Sequence, residues 1–275
     1  MGDRCFYRVT DMTPVISSYE PMRHDGTMPL TRAGRPRLTA QRRPGTTARD
    51  EILDAAGELF TTQGYAATST RYIAESVGIR QASLYHYFKT KDDILCALLS
   101  QTVSPTLSFI PALAEVQPAM TAPQRLHALA VFDGRQLLRG RWNLGALYLL
   151  PELRGAGLEP FSSDRERLRR HYLLLSQTIA EDNGVDPAAA DLPFRLVEAL
   201  VNMWSTPPGP QRDQLPEHVA DACVRVVGVA DPRALHECTR EVLTSGGEES
   251  HGEIAPRMTW DTGDVVNHVN GRAPQ

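Results

Sequence analysis

A chain of 275 residues can hold one large or two small domains with real cores, and a content of 41% hydrophobic and 23% charged residues is ordinary for a soluble globular protein. No apolar run approaches the roughly 18–20 residues of a membrane span, and the N-terminal MGDRCFYRVTDMTPVISSYE has no continuous apolar core of the kind a secretory signal needs. A cytoplasmic protein without a membrane partner is therefore expected. The net charge of −4 is modest, but its distribution is uneven: Arg32, Arg35, Arg37, Arg42, Arg43 and Arg49 follow one another with no acidic residue among them.

Residues 1–45 contain Pro14, Pro21, Pro29, Pro36 and Pro44 and no apolar periodicity, and read as a disordered basic arm. Within it, Gly34-Arg35-Pro36-Arg37 has the make-up of a minor-groove hook, since arginines flanking a proline suit a narrow electronegative groove. Non-specific attraction to phosphates and plain disorder remain open for the same residues. Nothing recognisable precedes Met22 or Met28, so either is a candidate start of translation.

From Thr46 the pattern changes. Ile52, Ala55, Ala56, Leu59 and Phe60 form the stripe of an amphipathic helix, with Gly64 placed to end it. Thr68 or Ser69 can cap a second helix that turns Ile73, Ala74 and Val77 inward, and Gly78 supplies a sharp turn. A third helix over 81–88 is held by Leu84 and Phe88, leaving Gln81, Ser83, Tyr85 and His86 to face outward. Thr90 caps a fourth helix beginning Lys91-Asp92-Asp93.

In sequence, ILDAAGELF, the Gly64-Tyr65 pair, TST at 68–70, IAESVGI and ASLYHYFKTKDDIL resemble the N-terminal domain of TetR-family transcriptional regulators, over about a sixth of the chain and without a gap. Tyr87 stands where the family often has histidine, and Arg80 is bulkier and more basic than usual. The resemblance implies an all-α protein with a helix-turn-helix domain at 46–92 and a helical effector-binding and dimerisation domain at 93–245, while the polar composition of 246–275 reads as a flexible tail. It implies that the 81–87 helix enters the major groove of double-stranded DNA at an operator expected to be palindromic. Arg71 and Gln81 are then the base readers, since arginine can grip guanine and glutamine adenine through paired hydrogen bonds. Ser83 and His86 add base-edge or phosphate contacts, while Thr68, Ser69, Tyr85, Tyr87 and Lys91 seat the unit on phosphates.

Beyond residue 95, Pro105 and Pro111 predict an interruption. Helical patterns follow at 123–138 and 163–181, with a short apolar segment at 142–150 between them. Arg165, Arg167, Arg169 and Arg170 read better as a solvated face than as a second DNA surface. Two apolar helices at 188–204 (Phe194, Val197, Leu200, Val201) and 215–229 (Val219, Cys223, Val226, Val227) are the expected dimerisation pair. Completion of the monomer core is the competing reading of those faces. A last helix is expected at 232–243.

Among catalytic signatures, no GxSxG, phosphate loop or HExxH occurs, so no enzyme is expected. Cys5, Cys96, Cys223 and Cys238 form no metal motif, and His127, His171 and His218 stand singly, so neither metal nor cofactor is expected. Phe109, Phe132, Trp142, Tyr148, Tyr172, Met203 and Trp204 are candidates to line the effector pocket the resemblance implies. Their character, with no buried charge pairs in evidence, suggests a small apolar or aromatic effector that releases a repressor from its operator. The alternative is a constitutive dimeric or architectural DNA-binding protein.

Overall fold

The computed structural model describes residues 43–116, 119–151, 158–205 and 209–249, and among these the regular structure is entirely helical. Arg35, Arg37 and most of the tail lie outside the described residues.

Three short helices come first: α1 (Ala48–Thr62), α2 (Thr70–Val77) and α3 (Gln81–Leu84). The chain sets the start of α1 by a reciprocal cap, in which the Asp50 amide donates to Thr47 Oγ1 at 3.2 Å and the Thr47 amide to Asp50 Oδ2 at 3.0 Å. Ser69 caps α2 by accepting from the Tyr72 amide at 3.1 Å. Gly78 closes α2 at φ 79°, a left-handed conformation costly for any residue with a Cβ, and so turns the chain sharply into α3. The helix expected over 81–88 is one α-turn, prolonged by a tight turn in which the amides of Tyr87 and Phe88 both donate to the Leu84 carbonyl.

The long α4 (Lys91–Val116) runs through both Pro105 and Pro111, so the expected interruption does not occur. Each proline removes one backbone donor. Burial of Leu98, Leu99, Val103, Phe109 and Leu113 along the same helix offsets that loss. Within α4, residues Lys91–Pro111 are long and apolar enough to pass for a membrane span, contrary to the expectation from sequence, with mean hydropathy 1.4. Half of that window is buried inside the protein, as befits a core helix.

The body is completed by α5 (Ala122–Arg139), α6 (Glu159–Asp182), α7 (Leu192–Glu198), α8 (Pro210–Val226) and α9 (His236–Glu249). Centrally placed, α5 packs against α4, α6, α7, α8 and α9. The segment at 142–150 is a 3-10 turn at Leu144–Leu149. The single helix expected over 188–204 is three pieces, two 3-10 turns flanking α7, because Pro193 sits in the first turn of α7 and forces its start there. The helix expected from 215 begins earlier, at Pro210, and α9 continues past Gly246 instead of ending at 243.

One apolar cluster runs without a break from Ile52 in α1 to Val242 in α9. The first three helices and the helical body thus share one core.

Candidate nucleic-acid interface

The buried residues of the first three helices, Ile52, Ala56, Phe60, Ile73, Ala74, Val77 and Leu84, fix one face of the unit inward. The opposite face presents Ser69, Arg71, Tyr72, Gln81, Tyr85, His86 and Tyr87 to solvent. Gln81 Nε2 donates to Thr70 Oγ1 at 3.1 Å and to Tyr85 Oη at 3.3 Å, and those two hydroxyls are themselves 3.1 Å apart. The triangle ties α2 to α3 and orients the amide that is the candidate base reader. Thr70 was not singled out from sequence, although its place in the TST cap put it one turn from Gln81's reach. Tyr72, 45% exposed, was also overlooked.

Arg71 is 76% exposed at its side chain, and its Nε donates to Glu75 at 2.8 Å. Glu75 also raises the Arg71 pKa, so its positive charge is permanent. Ser83 is half-buried on the same short helix.

Two expected phosphate contacts are placed differently. Thr68 is buried, and its hydroxyl donates to the Gly64 carbonyl at 2.9 Å, closing the α1–α2 loop. The Lys91 ammonium donates to the carbonyls of Tyr65 (2.8 Å) and Thr68 (3.0 Å) and lies 4.0 Å from the centre of the Tyr65 ring. Thr68 is therefore a structural residue, and Lys91 spends two of its three donors on the same loop. Arg43, at the edge of the expected disordered arm, is also engaged by the fold: it donates to Asp54 (3.0 Å) and Glu58 (2.6 Å) of α1 and reaches the Ser76 hydroxyl of α2. The folded unit thus begins before residue 46.

Trp142 fastens this unit to the body. Its indole Nε1 donates to Asp54 Oδ1 at 3.1 Å, and Arg141 lies 3.6 Å from the same oxygen. Because the indole lies close against α1, a Cβ added at Gly57 would come within 2.9 Å of Trp142 Cδ1.

The other candidate effector residues are not gathered around one pocket. Phe109 and Phe132 stack with centroids 4.1 Å apart, filling the α4–α5 contact. Tyr172 is fully buried and donates to Asp133 at 3.0 Å, and Met203 is 41% exposed. Trp204 lies beneath the Arg212 guanidinium, 4.9 Å away. Of the seven, Tyr148 lines a cleft of about 520 Å³ with Leu149, Leu150, Phe161 and Arg165. Its hydroxyl meets that of Thr102, and burial pushes its pKa upward.

Of the expected dimer residues, Phe194, Val197, Leu200, Val201, Cys223 and Val227 are buried within the single chain, where they hold α5, α7 and α8 together. Val219 and Val226 keep exposed surface on α8. The arginines of α6 are paired with acids: Arg165 with Glu198 and Arg169 with Asp191, each at 2.7 Å, and Arg167 with Asp164 at 2.8 Å.

Buried charge, unsuspected from sequence, is present. Asp133 accepts from Thr106 (2.8 Å) and Tyr172 (3.0 Å), and burial pushes its pKa up to about 7 against those hydrogen bonds. Nor does His127 stand singly: it meets His236 at Asp221, a convergence that only the packing of α5, α8 and α9 brings about.

Residues 52–98 match the family model described as bacterial regulatory proteins, tetR family. Over 163 residues the chain is 30% identical to the fatty acid metabolism regulator protein of Bacillus subtilis, covering 56% of this chain and 81% of that protein. A shorter match, 47% identical over 47 residues, covers 17% of this chain and 23% of the HTH-type transcriptional repressor KstR2 of Mycolicibacterium smegmatis. The crystal structure of AmtR from Mycobacterium smegmatis is similar with a TM-score of 0.67 at 49% identity, over 74% of this chain and 98% of that chain.

Proposed function

We propose that this chain, which belongs to the TetR family of bacterial regulatory proteins, is a dimeric, cytoplasmic and non-enzymatic repressor that reads a two-fold operator and is released from it by a small molecule. The observation that carries the DNA-reading half is the exposed Arg71–Gln81–Tyr85 face, in which the Gln81 amide is oriented by Thr70 and Tyr85 before any base arrives. An amide held in place loses less freedom on binding, so more of its hydrogen-bond energy becomes discrimination. Arg71 complements it, with fork-shaped donors suited to guanine.

Pairing follows from the reading task. One unit covers a few base pairs, whereas two units held about 34 Å apart read twice as many at adjacent major grooves. Val219 and Val226 of α8, packed against the core but only partly buried, offer apolar surface to a second copy. The domain division expected from sequence fits this reading: residues 46–92 read DNA, and 93–245 pair and sense.

The effector enters beside Tyr148, where the cleft has the volume of an ordinary small-molecule site. Its lining sets Tyr148, Leu149, Leu150 and Phe161 beside Ser162, Arg165 and Glu166, which suits a ligand with an apolar body and a polar group. Such a ligand acts only if it binds the DNA-incompetent geometry more tightly than the competent one. The test is selection of operator DNA from genomic fragments by the full chain, followed by challenge of the bound site with fractionated metabolites. Release by a discrete compound, abolished in Phe161→Ala, supports the effector reading. A discrete site that no fraction releases supports the constitutive alternative, and retention of no discrete site at physiological salt overturns both.

A further inference from the structure

His127 of α5, Asp221 of α8 and His236, the first residue of α9, come together on the side of the body formed by those three helices. Asp221 Oδ1 faces two imidazole nitrogens at once, His236 Nε2 at 2.8 Å and His127 Nε2 at 3.2 Å, and the three donor atoms lie within 4.8 Å of one another. We propose that these side chains form a binding site for a divalent first-row transition ion, with zinc as the type case.

The geometry is near what such an ion requires. At zinc–nitrogen and zinc–oxygen bonds of about 2.0–2.2 Å, tetrahedral ligand atoms stand roughly 3.3–3.5 Å apart. The Asp221 contacts at 2.8 and 3.2 Å are about 0.1–0.7 Å shorter than that and the third pair lies within 4.8 Å, so an ion fits once the side chains shift by up to about an ångström. His127 Nδ1 lies 2.7 Å from Thr239 Oγ1. As a donor to that hydroxyl, Nδ1–H leaves the Nε2 lone pair aimed at the cluster, the usual outer-shell support of a metal-bound imidazole.

The ion also answers the charge balance. Asp221 has its other oxygen 3.7 Å from the exposed Arg225, a loose pairing that leaves its charge available. A cavity of about 150 Å³ opens beside His127 and His236 and supplies room for a water as fourth ligand. Glu217, one helical turn before Asp221, lines it and is held by Arg135 at 3.1 Å. A donor set of two imidazoles and one carboxylate favours zinc, cobalt or nickel over magnesium or calcium, and it has no thiolate to select copper(I). Bound there, the ion cross-links three helices and fastens α9 to the body.

The test uses the full untagged chain, stripped with EDTA and titrated with cobalt(II) chloride and then zinc chloride. Wild type is expected to bind one cobalt per chain with visible d–d absorption that zinc bleaches, and to melt at a higher temperature when loaded. His236 is partly exposed, so His236→Ala should fold; it should bind at least about a hundredfold more weakly, beyond the 10- to 100-fold typical of losing an outer-shell partner. Thr239→Val should weaken binding about tenfold and His171→Ala should leave it unchanged. Absence of stoichiometric cobalt from wild type, or wild-type binding by both His236→Ala and Asp221→Asn, overturns the proposal and leaves a cluster that shares protons only.

Discussion

Lys91 donates to the Tyr65 and Thr68 carbonyls while lying against the Tyr65 ring, so its removal leaves two half-buried acceptors and strips a cation from that ring. Lys91→Ala is expected to lower stability by about 1–2 kcal/mol in urea unfolding, as well as weakening binding to all DNA sequences alike. Unchanged stability would return Lys91 to a purely phosphate-binding role. Asp133 gives a pH signature. Its folded pKa, near 7, lies above the unfolded value of 3.8, so its contribution is fully present below about pH 4 and is lost as pH rises through 7. Relative to Asp133→Asn, wild type should therefore lose melting temperature between pH 5 and 8, and parallel pH profiles for the two proteins would contradict this. Gln81, Tyr85 and His86 were legible in sequence because a segment that must bury Leu84 and Phe88 turns them outward, whereas Arg71 and Tyr87 came from the family resemblance. Thr68, Lys91 and Arg43 were not, because the acceptors they serve are backbone and carboxylate groups brought near only by the turn between α1 and α2.

At the scale of elements, the join between α1 and the 142–149 segment is where the body grips the DNA-facing unit. Asp54 accepts from both Arg43 and Trp142, so one carboxylate links the start of the chain, α1 and the body. Gly57→Ala should cost about 1–3 kcal/mol in wild type, because its methyl meets the Trp142 ring. In a Trp142→Ala background the same change should be neutral or stabilising, since alanine is the better helix former by about 0.5–1 kcal/mol. Equal costs in both backgrounds would separate Trp142 from α1. Helix ends capped at Ser69 and Thr90 were readable in advance, whereas the caps at Thr47 and Thr121 emerged only with the structure. The continuity of α4 through two prolines was not, since it depends on how much of that helix the other elements bury.

For the whole molecule, one apolar core runs from Ile52 to Val242, so α1 and the body are packed together through side chains. A dimer should appear in sedimentation at twice the chain mass, and Val219→Glu or Val226→Glu should shift it towards monomer; a monomer at working concentrations would remove the two-fold operator. Dimer and body were the least legible parts, because an apolar helix face reads the same whether it meets its own chain or another. Phe194, Val197 and Cys223 illustrate this, being buried without a partner. The most direct measurement is the affinity of wild type and Gln81→Ala for an operator library randomised one base pair at a time, at about 150 mM salt. Loss of about 1–3 kcal/mol of discrimination, confined to one base pair and its symmetry mate, is expected. A uniform fall in affinity across the library, with discrimination intact at every position, would contradict the assignment of the Arg71–Gln81–Tyr85 face as the part that reads sequence.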